Sequence, residues 1–508
     1  MRLLVIGLLI VLWATNLFAL TPQKVWTRTY GGPAPDYGSS VQQTSDGGYI
    51  VAGTEGYDGP DSVQVYLIKT DAAGDTVWTR KYGGTRREAG ESVRQTSDGG
   101  YIIAGLTTSF GAGQEDVYLI KTNASGDTIW TKTYGGTGSD YGRSVKQTSD
   151  GGYIITGFTD SFGAGSYDVY LIKTNASGDT VWTKTYGGAS EESGSCVQQT
   201  SDGGYVISGY TFSFGAGPTD VYLIRADAGG GVVWGRVYGG ASWEFGNSVQ
   251  QTSDGGYIVA GETESFGAGD SDTYLIRTDA DGDTVWTRTY GGTGHEAGFS
   301  VQETSDGGYI IAGHTYTFGA GGGDVYLIRA DAGGGVIWAR AYGDTAEEGS
   351  YSVQQTSDGG YIVAGHADPS GTGNDDVYLI RVREHNWKAK DKKFGEPPTP
   401  GPGNRDPVVA LSNGVPARLA LRGSAPNPFS RGTVIRFDLP EQGEVTLSIH
   451  DVGGRLLREL VGEVRPPGSH SVAWDGRNSS GRAVQAGIYF VRLESGGKVA
   501  TGKLVVAH

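Results

Sequence analysis

One cysteine, Cys196, stands in 508 residues. That excludes an intramolecular disulfide and a cysteine-based zinc site. Methionine occurs once. Beyond residue 20 no apolar run is long enough to cross a bilayer as a helix. A positive balance is also missing. The formal charge is −16, yet residues 405–508 carry 13 basic and 9 acidic side chains, which leaves the remainder near −20. An acidic body argues against nucleic acid as a partner and for a surface that resists self-association. No Ser-His-Asp arrangement and no histidine-rich metal pattern can be assembled from spacing.

Glycine is abundant, with 88 residues, roughly two and a half times its ordinary usage. There is no Gly-X-Y period, so the excess reads as tight turns. Tyrosine (29) and tryptophan (11) are plentiful. Aromatic residues with turn glycines favour an all-β chain.

An internal repeat decides the architecture. Trp26, Trp78, Trp130, Trp182, Trp234, Trp286 and Trp338 are evenly spaced at 52 residues. The tyrosine of Ser-Asp-Gly-Gly-Tyr recurs with the same period from Tyr49 to Tyr361. Each unit holds four strand-like segments; in the second they are Ser92–Thr96, Tyr101–Thr107, Val117–Thr122 and Thr128–Tyr134. Ser97-Asp98-Gly99-Gly100 and Asn123-Ala124-Ser125-Gly126-Asp127 are hairpin signals. The two middle segments are continuously apolar, as strands covered on both faces are. The Trp-bearing segment mixes rings with polar and basic residues and reads as a half-solvated outer strand. Such units cannot bury their faces alone, and neighbours must supply the cover. The expected fold is a seven-bladed β-propeller.

The chain begins with an outer-type strand, Val25 to Tyr30, and the seventh unit ends at Val377–Val382 without one in register. The N-terminal strand is therefore expected to complete the last blade, since an open ring exposes edges. Trp387, three residues short of register, is the competitor. Arg28, Arg80, Lys132, Lys184, Arg236, Arg288 and Arg340 share one outer-strand register, where charge discourages sheet-to-sheet pairing.

Residues 1–20 read as a secretory signal, with Arg2 before an apolar core from Leu3 to Trp13 and cleavage near Ala19. The propeller is assigned to 21–384, a Pro/Gly-rich linker to 385–423 and a small β-sandwich to 424–508. Within the last segment stand Ala425-Pro426-Asn427-Pro428-Phe429, Thr433-Val434-Ile435-Arg436-Phe437 and Ile449-His450-Asp451-Val452-Gly453-Gly454-Arg455. These resemble the C-terminal sorting domain (type A) of the type IX, or Por, secretion system. Trp474-Asp475-Gly476-Arg477 and Ala486-Gly487-Ile488-Tyr489-Phe490 resemble the related FlgD-type immunoglobulin-like domain, and Lys503-Leu504-Val505-Val506 fits its terminal strand. The resemblance implies a sorting motif made of Pro426, Asn427, Pro428, Phe429, Asp451, Gly454, Arg455, Gly487, Tyr489 and Lys503. It further implies an outer-membrane translocon as partner. The destination would be the medium or the outer surface of a diderm bacterium.

Inside the repeat, one acidic register precedes each inner strand: Asp36, Glu88, Asp140, Glu192, Glu244, Glu296 and Glu348. Two roles fit it. A ring of carboxylates at a channel mouth could hold calcium, which takes several oxygen ligands. Alternatively each carboxylate accepts backbone N–H bonds and fixes its own loop, which the near-identity of the copies favours. A second acidic register, Asp116 to Asp376, reads as loop capping, and Asp279–Asp283 as a hairpin turn rather than a calcium loop. Cys196 takes the place of Ser92, Ser144 and Ser248, and is a repeat-position substitution. Arg86, Arg87, Trp243 and His295 break the symmetry in variable loops and are the candidate ligand contacts. No catalytic residue is assigned and no cofactor is required; calcium is the one candidate ion. Near-interchangeable units favour a secreted binding, adhesion or structural module for an extracellular glycan or protein. The alternative is a polysaccharide lyase or hydrolase using the channel mouth.

Overall fold

A computed structural model describes residues 21–56, 63–368, 374–385, 419–425, 433–439, 443–465 and 468–507. These residues form strands and turns only, with no helix among them. Two compact units divide the chain, residues 1–409 and 410–508.

The first unit holds seven four-stranded antiparallel sheets, six of them in sequence order from inner to outer strand. Blade one comprises Asp36–Gln43, Tyr49–Glu55, Gln64–Thr70 and Thr76–Tyr82. Blade two repeats this as Glu88–Gln95, Tyr101–Thr107, Asp116–Thr122 and Thr128–Tyr134. Blade seven takes its outer strand from the other end of the chain. Thr21–Tyr30 pairs with Asp376–His385, from Thr21 opposite His385 to Tyr30 opposite Val377. The N-terminal strand therefore closes the ring, and Trp387 lies outside the described residues.

Core clusters form between blades. Ile102, Ala104, Val117 and Leu119 of blade two pack on Val145, Tyr153, Ile155, Tyr170 and Ile172 of blade three. The same joint recurs across the closure, where Val41, Tyr49, Val51 and Ile68 meet Ile362, Ala364, Val377 and Leu379. Each such side chain contributes roughly 1.5–3 kcal/mol when buried, so a blade without its neighbour loses most of its cover.

Polar bonds repeat the joint. The N–H of Ser97 donates to Gln147 Oε1 at 2.9 Å, and that of Ser357 to Gln43 Oε1 at 2.8 Å across the closure. The Tyr82 hydroxyl donates to the Gly126 carbonyl at 2.6 Å, and the Tyr30 hydroxyl to Gly74 at 2.5 Å. The outer-strand cations also bond to the next blade: Arg28 reaches Asp75 at 3.3 Å and Lys132 reaches Asp179 at 3.1 Å. Within each blade a buried cation braces the Ser-Asp-Gly-Gly hairpin, as Lys121 does by meeting Asp98 at 2.9 Å. Gly99 turns that hairpin at φ +82°, a conformation glycine adopts without strain.

The second unit is a two-sheet sandwich. Ala420–Ala425, Thr433–Leu439 and Gly468–Trp474 make one sheet; Leu456–Arg465, Gly443–His450, Gly487–Ser495 and Lys498–Val506 make the other. Ile435, Phe437, Leu447, Trp474, Val491 and Leu504 share its core. Ala420–Ala425 pairs with Thr433–Leu439, so the sandwich begins before residue 424 and the expected linker ends earlier. Sequence reading missed this strand because Ala420–Ala425 lacks a β-branched run, and missed Leu456–Arg465 because its acidic and basic residues break the alternation.

Candidate functional site

The seven inner strands line the central channel. Each starts at the acidic register rather than after it. The expected start, Ser92, is four residues late because a β-bulge hides the first half of the strand. Gly90 pairs with Gly105 and Ser92 with Ala104, so Glu91 is the extra residue. The equivalent shift falls between Gly38 and Ser40 in blade one and between Gly298 and Ser300 in blade six. A bulge re-aims the unpaired side chain.

The bulged residues are Ser39, Glu91, Arg143, Ser195, Asn247, Phe299 and Tyr351, different in almost every blade. All seven line one cavity of about 750 Å³ at this end of the channel, with Tyr37, Thr54, Arg87 and Ala89 among its other walls. Size and lining suit a small-molecule site, with aromatic walls and a few polar groups.

The lining is ordered. Phe299 sits edge-on to Tyr351 with centroids 5.5 Å apart, and Tyr351 stacks on His366 at 5.4 Å. The Arg143 guanidinium lies over the Phe158 ring at 5.5 Å, and Phe158 stacks on Tyr141 at 4.6 Å. Burial pushes the Glu91 carboxyl up, and the positive charges of Arg143 and Arg87 oppose it without prevailing. Burial also raises the Tyr351 hydroxyl to about 12.

Of the four expected contact residues, Arg87 lines the cavity, donating to Glu115 at 3.0 Å and to the Tyr141 hydroxyl at 2.9 Å. Trp243 and His295 share the register of Arg87, one residue ahead of their inner strands. They form rim clusters instead. Trp243 packs on Phe212 at 5.6 Å and on Phe245 at 6.1 Å. His295 Nδ1 meets His314 Nε2 at 3.1 Å, and its Nε2 lies 3.7 Å from Glu262. Burial first, then His295, lowers His314 to about 4. Arg86 is exposed and is not among the cavity walls; its N–H donates to Ser109 Oγ at 3.0 Å.

The acidic register is buried and engaged inside each blade. Glu88 Oε2 accepts the Gly84 N–H at 2.9 Å, while its Oε1 accepts the Thr107 hydroxyl at 2.9 Å and the Ser109 N–H at 3.2 Å. Glu192, Glu244 and Glu296 repeat the pattern from Gly188, Gly240 and Gly292. Asp36, Asp140 and Glu348 accept from Gly32, Gly136 and Asp344. This is the geometry of loop capping. Burial lifts Asp36 to about 6 and Glu348 to about 7. Among the described residues no three His, Cys, Asp or Glu side chains are grouped to hold a metal ion. Asp116 and Asp220 cap Gly113 and Gly217. Asp279 closes its own turn on the N–H groups of Asp281 and Asp283. Cys196 sits at its serine register with Sγ 3.7 Å from the Val249 carbonyl.

In the C-terminal unit Asp451 accepts the N–H groups of Gly453 and Arg455, each at 3.0 Å, and Arg455 Nε returns to it at 3.1 Å around Gly454 at φ +80°. The Tyr489 hydroxyl donates to the Gln485 carbonyl at 2.7 Å, with its ring edge-on to Trp474 at 5.8 Å. Gly487 opens its strand opposite Val506, and Lys503 pairs with Phe490. Pro426, Asn427, Pro428 and Phe429 lie outside the described residues.

Residues 427–498 match the FlgD Ig-like domain family, and residues 252–284 match a domain of unknown function (DUF5122) beta-propeller. The chain is an all-β propeller joined to an Ig-like domain. Over 282 residues it is 24% identical to the regulatory protein FlaEY of Caulobacter vibrioides, a stretch covering 50% of this chain and 26% of that protein. It thus spans about a quarter of that relative's length. The Neurospora crassa Pan2 WD40 domain covers 72% of this chain and aligns over 96% of its own, at 10% identity and TM-score 0.46. PorZ, a surface component of the type-IX secretion system of Porphyromonas gingivalis, covers 91% of this chain over 58% of its own, at 12% identity and TM-score 0.37.

The sequence reading missed the bulge register. Its signal was present: one inner-strand position varies from Glu to Arg to Phe while Ser and Val beside it repeat.

Proposed function

We propose that this chain is an exported binding protein that takes an extracellular glycan at the channel mouth. The observation that carries the reading is the bulge register. Seven closely similar blades present six different side chains to one cavity, which is what a specific asymmetric ligand needs. Phe299, Tyr351 and Tyr37 supply apolar ring faces, while Arg143, Asn247 and Glu91 supply the polar contacts that fix orientation. No cofactor enters this reading. Export would follow from the N-terminal signal and from the C-terminal resemblance to sorting domains, to which the FlgD Ig-like match over 427–498 lends support.

A glycan array probed with the chain lacking residues 1–20 tests the ligand. Binding should appear on a narrow glycan set and fall at least tenfold in the Phe299→Ala/Tyr351→Ala double variant. Binding that survives the double variant would remove the mouth as the site. Capture of a protein instead would replace the ligand class. Deleting residues 410–508 should hold the propeller in the periplasm, and undiminished export would defeat the sorting reading.

One observation favours the polysaccharide-active alternative: burial raises the Glu91 carboxyl inside the cavity, the direction in which a general acid is tuned. Turnover on a polysaccharide panel that disappears in Glu91→Gln would establish that chemistry.

A further inference from the structure

A second register of the inner strands also breaks the sevenfold pattern. Five blades place glutamine there: Gln42, Gln198, Gln250, Gln302 and Gln354. Blades two and three place Arg94 and Lys146. All seven line a separate cavity of about 280 Å³ at the channel end nearer the Ser-Asp-Gly-Gly hairpins, which shares no wall residue with the mouth.

The chemistry of this neck is one-sided. Each glutamine oxygen is committed to the neighbouring inner strand. Gln42 Oε1 accepts the Gln95 N–H at 2.7 Å, Gln198 Oε1 accepts Gln251, and Gln354 Oε1 accepts Gln43 at 2.6 Å. Gln250 and Gln302 do the same for Glu303 and Gln355. Only an oxygen can accept an N–H, so the amide orientation is fixed and the NH₂ groups are what remains. Arg94 and Lys146 have no acceptor to offer, so the N–H groups of Gln147 and Gln199 lose the partner their equivalents have. Arg94 donates to the Val93 carbonyl at 2.6 Å and to Ser40 Oγ at 3.4 Å. Among the described residues no carboxylate forms an ion pair with either cation.

We infer that this neck binds a small oxyanion of the phosphate or sulfate kind between Arg94 and Lys146. The site has two cations on adjacent inner strands and surplus NH₂ donors lining an enclosure of about 280 Å³. An oxyanion is the complement of donors without acceptors, and charge-assisted bonds of this type are the strong ones. Without it the two cations repel: burial, then Arg94, lowers Lys146 to about 7. The titratable groups acting on Lys146 are Arg94 on the preceding inner strand and the Cys196 thiol on the following one. The site is independent of the mouth and of any ligand there.

The test uses the full chain with sodium phosphate and sodium sulfate against chloride at matched ionic strength. Both oxyanions should raise the melting temperature of the natural chain. The Arg94→Gln/Lys146→Gln variant restores the side chain that five blades already carry, so it should fold. It should melt higher than the natural chain in chloride and show no specific oxyanion response. Calorimetry should give sulfate binding that weakens at least tenfold in either single variant. Equal shifts in the natural chain and the double variant, absence of any oxyanion shift, or sulfate binding undiminished in both single variants would each overturn the assignment.

Discussion

The closing strand offers a quantitative comparison, because position 26 and position 130 are the same position in different blades. Trp26 sits edge-on to Tyr49 at 5.9 Å and Trp130 edge-on to Tyr153 at 6.0 Å. Each indole also covers a hairpin glycine of the next blade, and a Cβ added at Gly74 or Gly178 would come within 2.8 Å of it. Full burial of a tryptophan makes its truncation to alanine cost about 3–5 kcal/mol. Both rings are half-buried, so about 2 kcal/mol is expected for each. Trp130→Ala is the internal standard, since its strand is continuous with its own blade. Trp26→Ala should lower stability to urea, followed by far-ultraviolet circular dichroism, by the same amount. If Trp26→Ala cost under about a quarter of Trp130→Ala, the N-terminal strand would not be holding the ring and closure by Trp387 would regain its case.

Other positions give sharper or differently signed outcomes. A Cβ at Gly157 would meet the Tyr141 carbonyl oxygen at 1.7 Å, and backbone cannot yield. Gly157→Ala should cost more than about 3 kcal/mol or abolish soluble expression, and an unchanged melting temperature would contradict the packing. At Asp98 burial opposes ionisation, but hydrogen bonds from Lys121 and Thr96 outweigh it and bring the carboxyl down to about 2, as similar bonds do at Asp46 and Asp150. Their stabilisation is present above the unfolded value of about 3.9 and lost as pH falls through 2. Burial acts the other way on Asp36 and Asp324, at about 6, and Glu348, at about 7, so their effect is to lower stability as pH rises from about 4 to 7. Urea midpoints from pH 2 to 8 should therefore peak near pH 4, and a steady rise to pH 7 would refute the assignment. Adding a chelator should leave the melting temperature unchanged, and a drop would return the acidic register to calcium.

Most of the fold was legible because the repeat states it seven times. Trp130, Tyr153 and the apolar run Tyr118 to Ile120 recur where both faces are covered, and the missing outer strand of blade seven is supplied by the surplus one at the start. The inner strand was only half legible. Gly90 and Glu91 read as loop because glycine and a lone charge break the alternation that marks a strand. The bulge explains both: Gly90 is required where Cβ would strike the Gly53 carbonyl at 2.8 Å, and Glu91 is unpaired. The rim residues Arg87, Trp243 and His295 stood out as irregular, but a sequence does not show which irregular side chains share a cavity. The neck was hidden for a different reason. Arg94 and Lys146 look like ordinary surface charges until the sheet order turns their register toward the channel.

The distribution of variation within the chain is itself an argument about what the ring is for. The positions that repeat include the ones whose atoms cross from blade to blade: Tyr82 to Gly126 and Ser97 to Gln147. A change at any of these is felt by two blades, so the seven copies agree. The bulged residue is left out of the strand ladder and faces the cavity, so a change there leaves the ladder intact. Freedom to vary would by itself give a scatter of small polar side chains. Instead the register holds Phe299 and Tyr351 in edge contact in one cavity with a half-buried Glu91 that two arginines do not fully compensate. Desolvating an acid and leaving rings open to a cavity both cost stability, and the scaffold requires neither. Those costs are borne at the mouth, and a ligand that stacks on the rings and bonds the acid is what would offset them.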